Sequence, residues 1–175
     1  KKRDFRRKSE RDSGWLTHLI MKILAGAAIF NKERKILLVQ QTKRGRQPLL
    51  WGLPGGHGEE GENPDQTTIR EVKEETNLDI KLTNFVNVDI LKVYDGSEYL
   101  LVTYKAEAKN LRDIKIDKNE VNDYSWFSFE DIKSRKVKLR GNFLIAPALK
   151  SFSKNLADVD SLTVSHYMKA EKESC

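Results

Sequence analysis

Apolar positions fall in short runs divided by polar, turn-forming segments. Residues 21–30 and 35–41 are two such runs, separated by Asn31-Lys32-Glu33-Arg34, and the pattern predicts a β-hairpin. A polar loop over 42–48 leads through Leu49, Leu50 and Trp51 into a glycine-rich stretch, 52–61. Past a helix argued below, residues 80–94 and 99–108 read as strands joined by an Asp95-Gly96 turn. Residues 124–127 read as a short strand, Ser128 caps a helix reaching about Ser134, and a last helix is expected over 147–156. Near the end Leu162, Val164 and His166 alternate, a weak strand pattern. Strands and helices interleave with no repeat and no linker, which argues for one α/β sandwich domain with a mixed sheet over 21–156. An extension, 1–20, precedes it and a polar tail, 157–175, follows.

Composition narrows the class. With 38% apolar and 33% charged residues in a chain of 175, a water-facing globular domain with a sizeable core is expected. Cys175 is the only cysteine, so no disulfide or cysteine-based zinc site can form within the chain, and a reducing, cytoplasmic location is expected. The run over 15–30 follows a basic stretch, but His18 and Lys22 interrupt it and it is too short to span a bilayer, so no membrane partner is expected. Of the net charge of +6, residues 1–12 hold +4, with seven basic side chains against Asp4, Glu10 and Asp12. That extension admits two readings: a disordered, solubilising leader, the commoner case, or an arm that holds RNA or an acidic partner.

The chemistry concentrates between Gly55 and Leu78. Asn63 suits an N-cap, Pro64 the first helical position and Gln66 the capping box, while Asn77 can take the left-handed place past the helix end. The predicted helix is therefore 64–76. At about 100° per residue, with Glu71 as zero, Glu74 falls near −60° and Glu75 near +40°, so three carboxylates share a face. Val72, Thr76 and Ile69 are expected to form a core-facing stripe on another side. Like charges at this spacing repel. A hard divalent cation is the natural compensation, since Mg²⁺ prefers carboxylate oxygens, and Gly55, Gly56, Gly58 and Gly61 let backbone approach the same point. The bland alternative is a solvated acidic face, which the adjoining glycine loop argues against.

The segment resembles the signature of the Nudix hydrolases. Gly56, Glu62, Arg70, Glu71, Val72, Glu74, Glu75 and Leu78 stand at the positions of that signature, and Asn77 replaces its usual glycine. Trp51-Gly52-Leu53-Pro54-Gly55-Gly56 resembles the family's entry into the loop, and Glu120-Val121 with Trp126-Phe127 its downstream segment, so the resemblance covers about residues 22–134. It implies the Nudix fold, an α/β/α sandwich with a central mixed β-sheet. It implies Mg²⁺, with Mn²⁺ as the alternative ion, held by Glu71, Glu74 and Glu75 with the Gly55 carbonyl as a further ligand. Glu62 and Arg70 would support that geometry, Arg70 counting among the catalytic residues. Glu120 resembles a loop glutamate that binds metal or serves as base in many relatives, against the alternative of an ordinary solvated side chain.

The implied reaction is hydrolysis of a diphosphate linkage in a nucleoside diphosphate joined to another group. A cation would screen the phosphate oxygens and make water a better nucleophile, one glutamate acting as base. A (deoxy)nucleoside triphosphate is the leading substrate class, since the proline expected at Val93 or Tyr94 in ADP-ribose enzymes is missing. Tyr94, sixteen residues past Leu78, matches a tyrosine found near there in dinucleoside polyphosphate hydrolases, or is simply a strand-end aromatic. Trp51 and His57 are further candidates for substrate contact, with a packing role beneath the loop and a solvent-exposed loop position as their respective alternatives. An RNA 5′ end is the alternative substrate, through the basic extension. A reading of another class is a non-catalytic nucleotide sensor on the same fold; retention of every signature glutamate favours the enzyme. Oligomeric state is not legible in the sequence.

Overall fold

The computed structural model describes residues 21–43, 48–92 and 96–159. The expectations for the 1–20 extension, for Tyr94 and for Leu162, Val164 and His166 lie outside the described residues. Among the described residues, eight strands and three α-helices follow one another as β1 (Lys22–Ile29), β2 (Ile36–Gln41), β3 (Trp51–Gly52), β4 (Gly55–His57), α1 (Pro64–Thr76), β5 (Ile80–Lys92), β6 (Glu98–Ala108), β7 (Val121–Phe127), α2 (Phe129–Lys133), α3 (Ile145–Lys150) and β8 (Ala157–Asp158).

The strands form two sheets, one of five in the order β4-β1-β6-β5-β8 and one of three in the order β3-β2-β7. In the larger sheet β1 runs parallel to β6 and antiparallel to β4, and β5 runs antiparallel to β6, so the sheet is mixed. The predicted hairpin of β1 and β2 is corrected by this topology. The two strands share an isolated bridge, Phe30 to Ile36, and otherwise belong to different sheets. The turn between them is built by Asn31, whose side chain accepts from the N–H groups of Glu33 and Lys35, with Arg34 at φ 59°. Such a turn reverses the chain but does not dictate that the strands it joins pair along their length.

Alternation along β1 and β2 sorts their side chains to two cores. Ala27, Ile29 and Leu37 meet Val72 of α1, with Leu78 and Ala106. Ala28, Ile36 and Leu38 face the other way, toward Ile132 of α2 and Ala148 of α3. The strands thus lie between α1 on one side and α2 with α3 on the other, the expected α/β/α layering, with the central layer split in two.

α1 forms as its caps dictate. Asn63 accepts from the Gln66 N–H at 2.9 Å and its own N–H donates to the Gln66 side chain at 3.0 Å, a complete capping box ahead of Pro64. Asn77 closes the helix at φ 60°, ψ 11°, donating to the Lys73 carbonyl. The buried face is Thr67, Thr68, Val72, Glu75 and Thr76, while Ile69 is 45% exposed. This corrects the expected stripe: the inward face is centred at about +50°, near Glu75, and Ile69 at about 160° falls outside it. Threonine hydroxyls tolerate that burial because Thr68 and Thr76 donate back to the carbonyls of Pro64 and Val72. The Tyr104 hydroxyl of β6 donates to Asp65 and ties the first helical turn to the sheet. The last helix is shorter than expected and starts earlier, at Ile145 rather than Pro147, placing Pro147 in the first turn.

Candidate active site

The glycine-rich stretch is itself a strand. β4 pairs with β1 through Gly26 to Gly55, Ala25 to Gly56 and Leu24 to His57, and no side chain intervenes where the backbones meet. A β-carbon on Gly55, which has φ 147°, would lie 2.3 Å from the Ala25 carbonyl oxygen, so only glycine fits there. At Gly56 the missing β-carbon makes room for the Glu71 carboxylate, whose oxygen would stand 2.4 Å away. The strand and α1 are thus pressed together, and the Glu71 and Glu75 carboxylates lie in the seam.

Glu75 is the most enclosed of them, at 5% exposure, and its carboxylate accepts from the Gly55 N–H at 2.8 Å. Burial pushes its pKa up to about 8, with the charges of Glu71 and Glu120 adding and Arg140 and the Gly55 bond opposing. Burial also raises the pKa of Glu71, against a pull downward from Arg70.

Arg70 organises the outer carboxylates. Its Nε and Nη2 donate to the two oxygens of Glu62 at 2.7 and 3.0 Å, a bidentate pair. Its Nη1 donates to Glu71 at 3.1 Å and Glu74 at 2.8 Å, and Nη2 also reaches the His57 carbonyl. The Glu62 carboxyl, held first by Arg70 and then by the Glu59 N–H, drops to a pKa of about 2. Arg70 therefore fastens the loop to the helix while neutralising part of the acidic face.

The structure brings Gly55, Glu62, Arg70, Glu71, Glu74 and Glu75 into one cluster. Glu120, exposed at the entrance to β7, is close enough for its charge to raise the pKa of both Glu71 and Glu75. Trp51 does not join them: its ring packs edge to face on Phe127 at 5.0 Å, against the core that includes α2 and α3. His57 is exposed and sets its ring against Tyr99. The donor set, all carboxylate and backbone oxygen, suits a hard divalent cation, and the buried Glu75 beside Glu71 is the kind of charge such an ion compensates. Among the described residues no three acidic or histidine groups are gathered closely enough to enclose an ion as they stand, because Glu71 and Glu74 turn to Arg70.

Beside the cluster opens a cavity of ≈ 180 Å³. Gly55, Gly56 and His57 form one part of its lining, Leu24, Leu53 and Leu101 supply apolar wall, and Arg140 contributes a cation. Burial lowers the pKa of Arg140, opposed by Glu75 and Glu71. Sequence reasoning passed over Arg140, which lies beyond the signature and has no local pattern to single it out. No helix among the described residues is long and apolar enough to cross a membrane.

Similarity to known proteins agrees with this geometry. Residues 22–147 match the model of the NUDIX domain. The chain is 36% identical over 118 residues to the m7GpppN-mRNA hydrolase of Saccharomyces cerevisiae, covering 65% of this chain and 11% of that protein. It is 32% identical over 99 residues to the RNA pyrophosphohydrolase of a Nitratiruptor species, covering 49% and 63%. It spans only 11–30% of the length of several longer relatives that it matches. Among solved structures, a NUDIX hydrolase from Nitrosomonas europaea superposes with a TM-score of 0.69 at 24% identity, over 82% of this chain and 96% of that one, a likeness of fold. The domain match takes in β1 to β7, the capped α1 and the glutamate cluster, and on that ground the chain belongs to the Nudix family.

Proposed function

We propose that this domain hydrolyses a diphosphate linkage in a nucleoside diphosphate-X substrate with the help of Mg²⁺, and that a (deoxy)nucleoside triphosphate is the preferred class. The observation that carries the reading is the Glu75 carboxylate, buried within the field of Glu71 and bonded to the amide of Gly55, a residue that itself lines the cavity. Glu71, Glu74 and Glu75 would hold the cation, with Glu120 and the Gly55 carbonyl as further oxygen donors. When bound, the cation supplies charge screening for the anhydride and a lower pKa for water.

The chain's own groups divide the remaining work. One of these same glutamates would accept the proton of the attacking water at a carboxylate oxygen. Arg70 keeps Glu71 and Glu74 oriented and fixes the loop through Glu62. Leu24, Leu53 and Leu101 form a dry wall on which the base can rest. Mg²⁺ rather than Mn²⁺ is part of the proposal, as is a cytoplasmic location.

A second reading, cleavage at the 5′ end of an RNA, is favoured by the two RNA-directed relatives and by the basic residues before Asp12. One panel separates the two: nucleoside triphosphates, dinucleoside polyphosphates, ADP-ribose and 5′-triphosphorylated RNA, each with Mg²⁺, Mn²⁺ or EDTA, beside Glu75→Gln. Cation-dependent release of pyrophosphate or phosphate, lost in the variant, is expected. Nucleotide binding with no turnover of any compound would leave the non-catalytic sensor as the function.

A further inference from the structure

Arg140 lies far from the glutamate helix in sequence and close to it in space. Its backbone N–H donates to the Trp51 carbonyl at 2.7 Å and the Trp51 N–H donates to Lys138 at 2.9 Å, strapping the segment before α3 onto β3. The guanidinium passes over Gly52, where a β-carbon would stand 2.5 Å from Nε. From there it reaches the cavity that Gly55 and Gly56 border. The fields of Glu75 and Glu71 both act on it, yet among the described residues no carboxylate forms an ion pair with it. Among the described residues its side chain makes one long hydrogen bond, Nη2 to the Leu53 carbonyl at 3.4 Å.

An arginine offers five N–H donors in a rigid plane. A partly buried guanidinium with one long bond lacks the anion that would complete it. The carboxylates whose field it feels are the ones the proposed function commits to a cation, so the missing anion has to come from outside the protein. We propose that Arg140 clasps a phosphate group of the bound substrate through paired N–H donors, holding the phosphate chain against the Gly55–Gly56 strand. The inference rests on the anhydride reading above and extends it to a specificity-determining residue. Arg140 forms and breaks no bond; it fixes where the phosphate chain lies relative to Glu71 and Glu75, and it favours substrates that carry a phosphate at that point.

The test combines calorimetric titration of inorganic pyrophosphate in EDTA with steady-state kinetics on the preferred triphosphate in Mg²⁺, for wild type, Arg140→Lys, Arg140→Gln and Glu75→Gln. Arg140→Gln is expected to weaken pyrophosphate binding roughly tenfold to a hundredfold and to raise KM by a similar factor, with kcat within about threefold. Arg140→Lys should recover part of the loss, since charge returns without the planar fork. Glu75→Gln should bind pyrophosphate at least as tightly as wild type. Equal pyrophosphate affinity in wild type and Arg140→Gln, no uptake by wild type, or a fall confined to kcat overturns the assignment. Should Arg140→Gln fail to fold, Arg140→Lys decides alone: affinity below wild type supports the clasp, and wild-type affinity overturns it. Arg140-dependent pyrophosphate binding in a protein that turns over nothing would sink the hydrolase reading and leave this anion site standing.

Discussion

The Gly55 amide donates to the Glu75 carboxylate at 2.8 Å, joining the glycine strand to the last turn of α1. The bond fixes one oxygen of Glu75 against the backbone. Glu75→Gln keeps the size of the side chain and removes its charge, so hydrolysis should fall roughly 10²–10⁴-fold while the fold persists. Activity assays paired with circular dichroism check this; near-wild-type turnover in the variant would remove Glu75 from the mechanism.

The same burial predicts how stability varies with pH. Glu75 ionises at about 8 in the folded chain against an ordinary value of 4.5, so the folded state holds a proton that the unfolded state has released. The stabilising contribution is fully present below the unfolded value and is lost as pH rises through the folded one. Glu71, shifted in the same direction, adds to the trend. In EDTA the Tm should decline between about pH 5 and about pH 9, the decline should flatten in Glu75→Gln, and excess Mg²⁺ should flatten it by favouring the ionised form. A Tm that rises across that window would contradict the assignment.

Two adjacent glycines should respond differently to alanine. At Gly56 the new methyl would meet the flexible end of Glu71, so stability should change by less than about 1 kcal/mol while turnover drops roughly tenfold or more as the carboxylate is displaced. At Gly55 it would meet the backbone of Ala25 and Gly26 in a conformation that L-residues avoid, and the loss of stability should reach about 2 kcal/mol or more. Chemical denaturation and kinetics on both variants test the distinction.

Asn77 holds the left-handed place at the end of α1. Asn77→Gly should leave stability within about 0.5 kcal/mol of wild type, whereas Asn77→Ala should cost about 1 kcal/mol. Equal effects of the two would mean that the Asn77 side-chain bond to the Asp113 carbonyl matters more than the backbone conformation.

What could be read in advance was local. Asn63, Pro64, Gln66 and Asn77 mark the ends of α1 because capping depends on residues within one turn of each other, and the three glutamates share a face for the same reason. The turn at 31–34 is a local feature and suggests a hairpin, whereas the sheets that β1 and β2 join are settled by pairing with β4 and β6 and with β3 and β7. Ile69 stands beside Thr76 on the helical wheel and so is expected on the core stripe, whereas the buried side is centred nearer Glu75 and takes in Thr67 and Thr68 with Val72 and Thr76. Arg140 is silent in the sequence for a related reason: it bonds to Trp51 and Leu53, and nothing near it in the chain points to them.

Arg70 gives the acidic cluster a built-in counter-ion. An incoming cation would meet not a bare knot of negative charge but one already shared with a guanidinium, and it would bind by exchange, taking Glu71 and Glu74 while Glu62 keeps its grip on Arg70. On the proposed function, such a site would hold a cation less tightly than the count of carboxylates suggests. The pairing of Arg70 with Glu71 and Glu74 also offsets the self-repulsion of carboxylates that share one helix face.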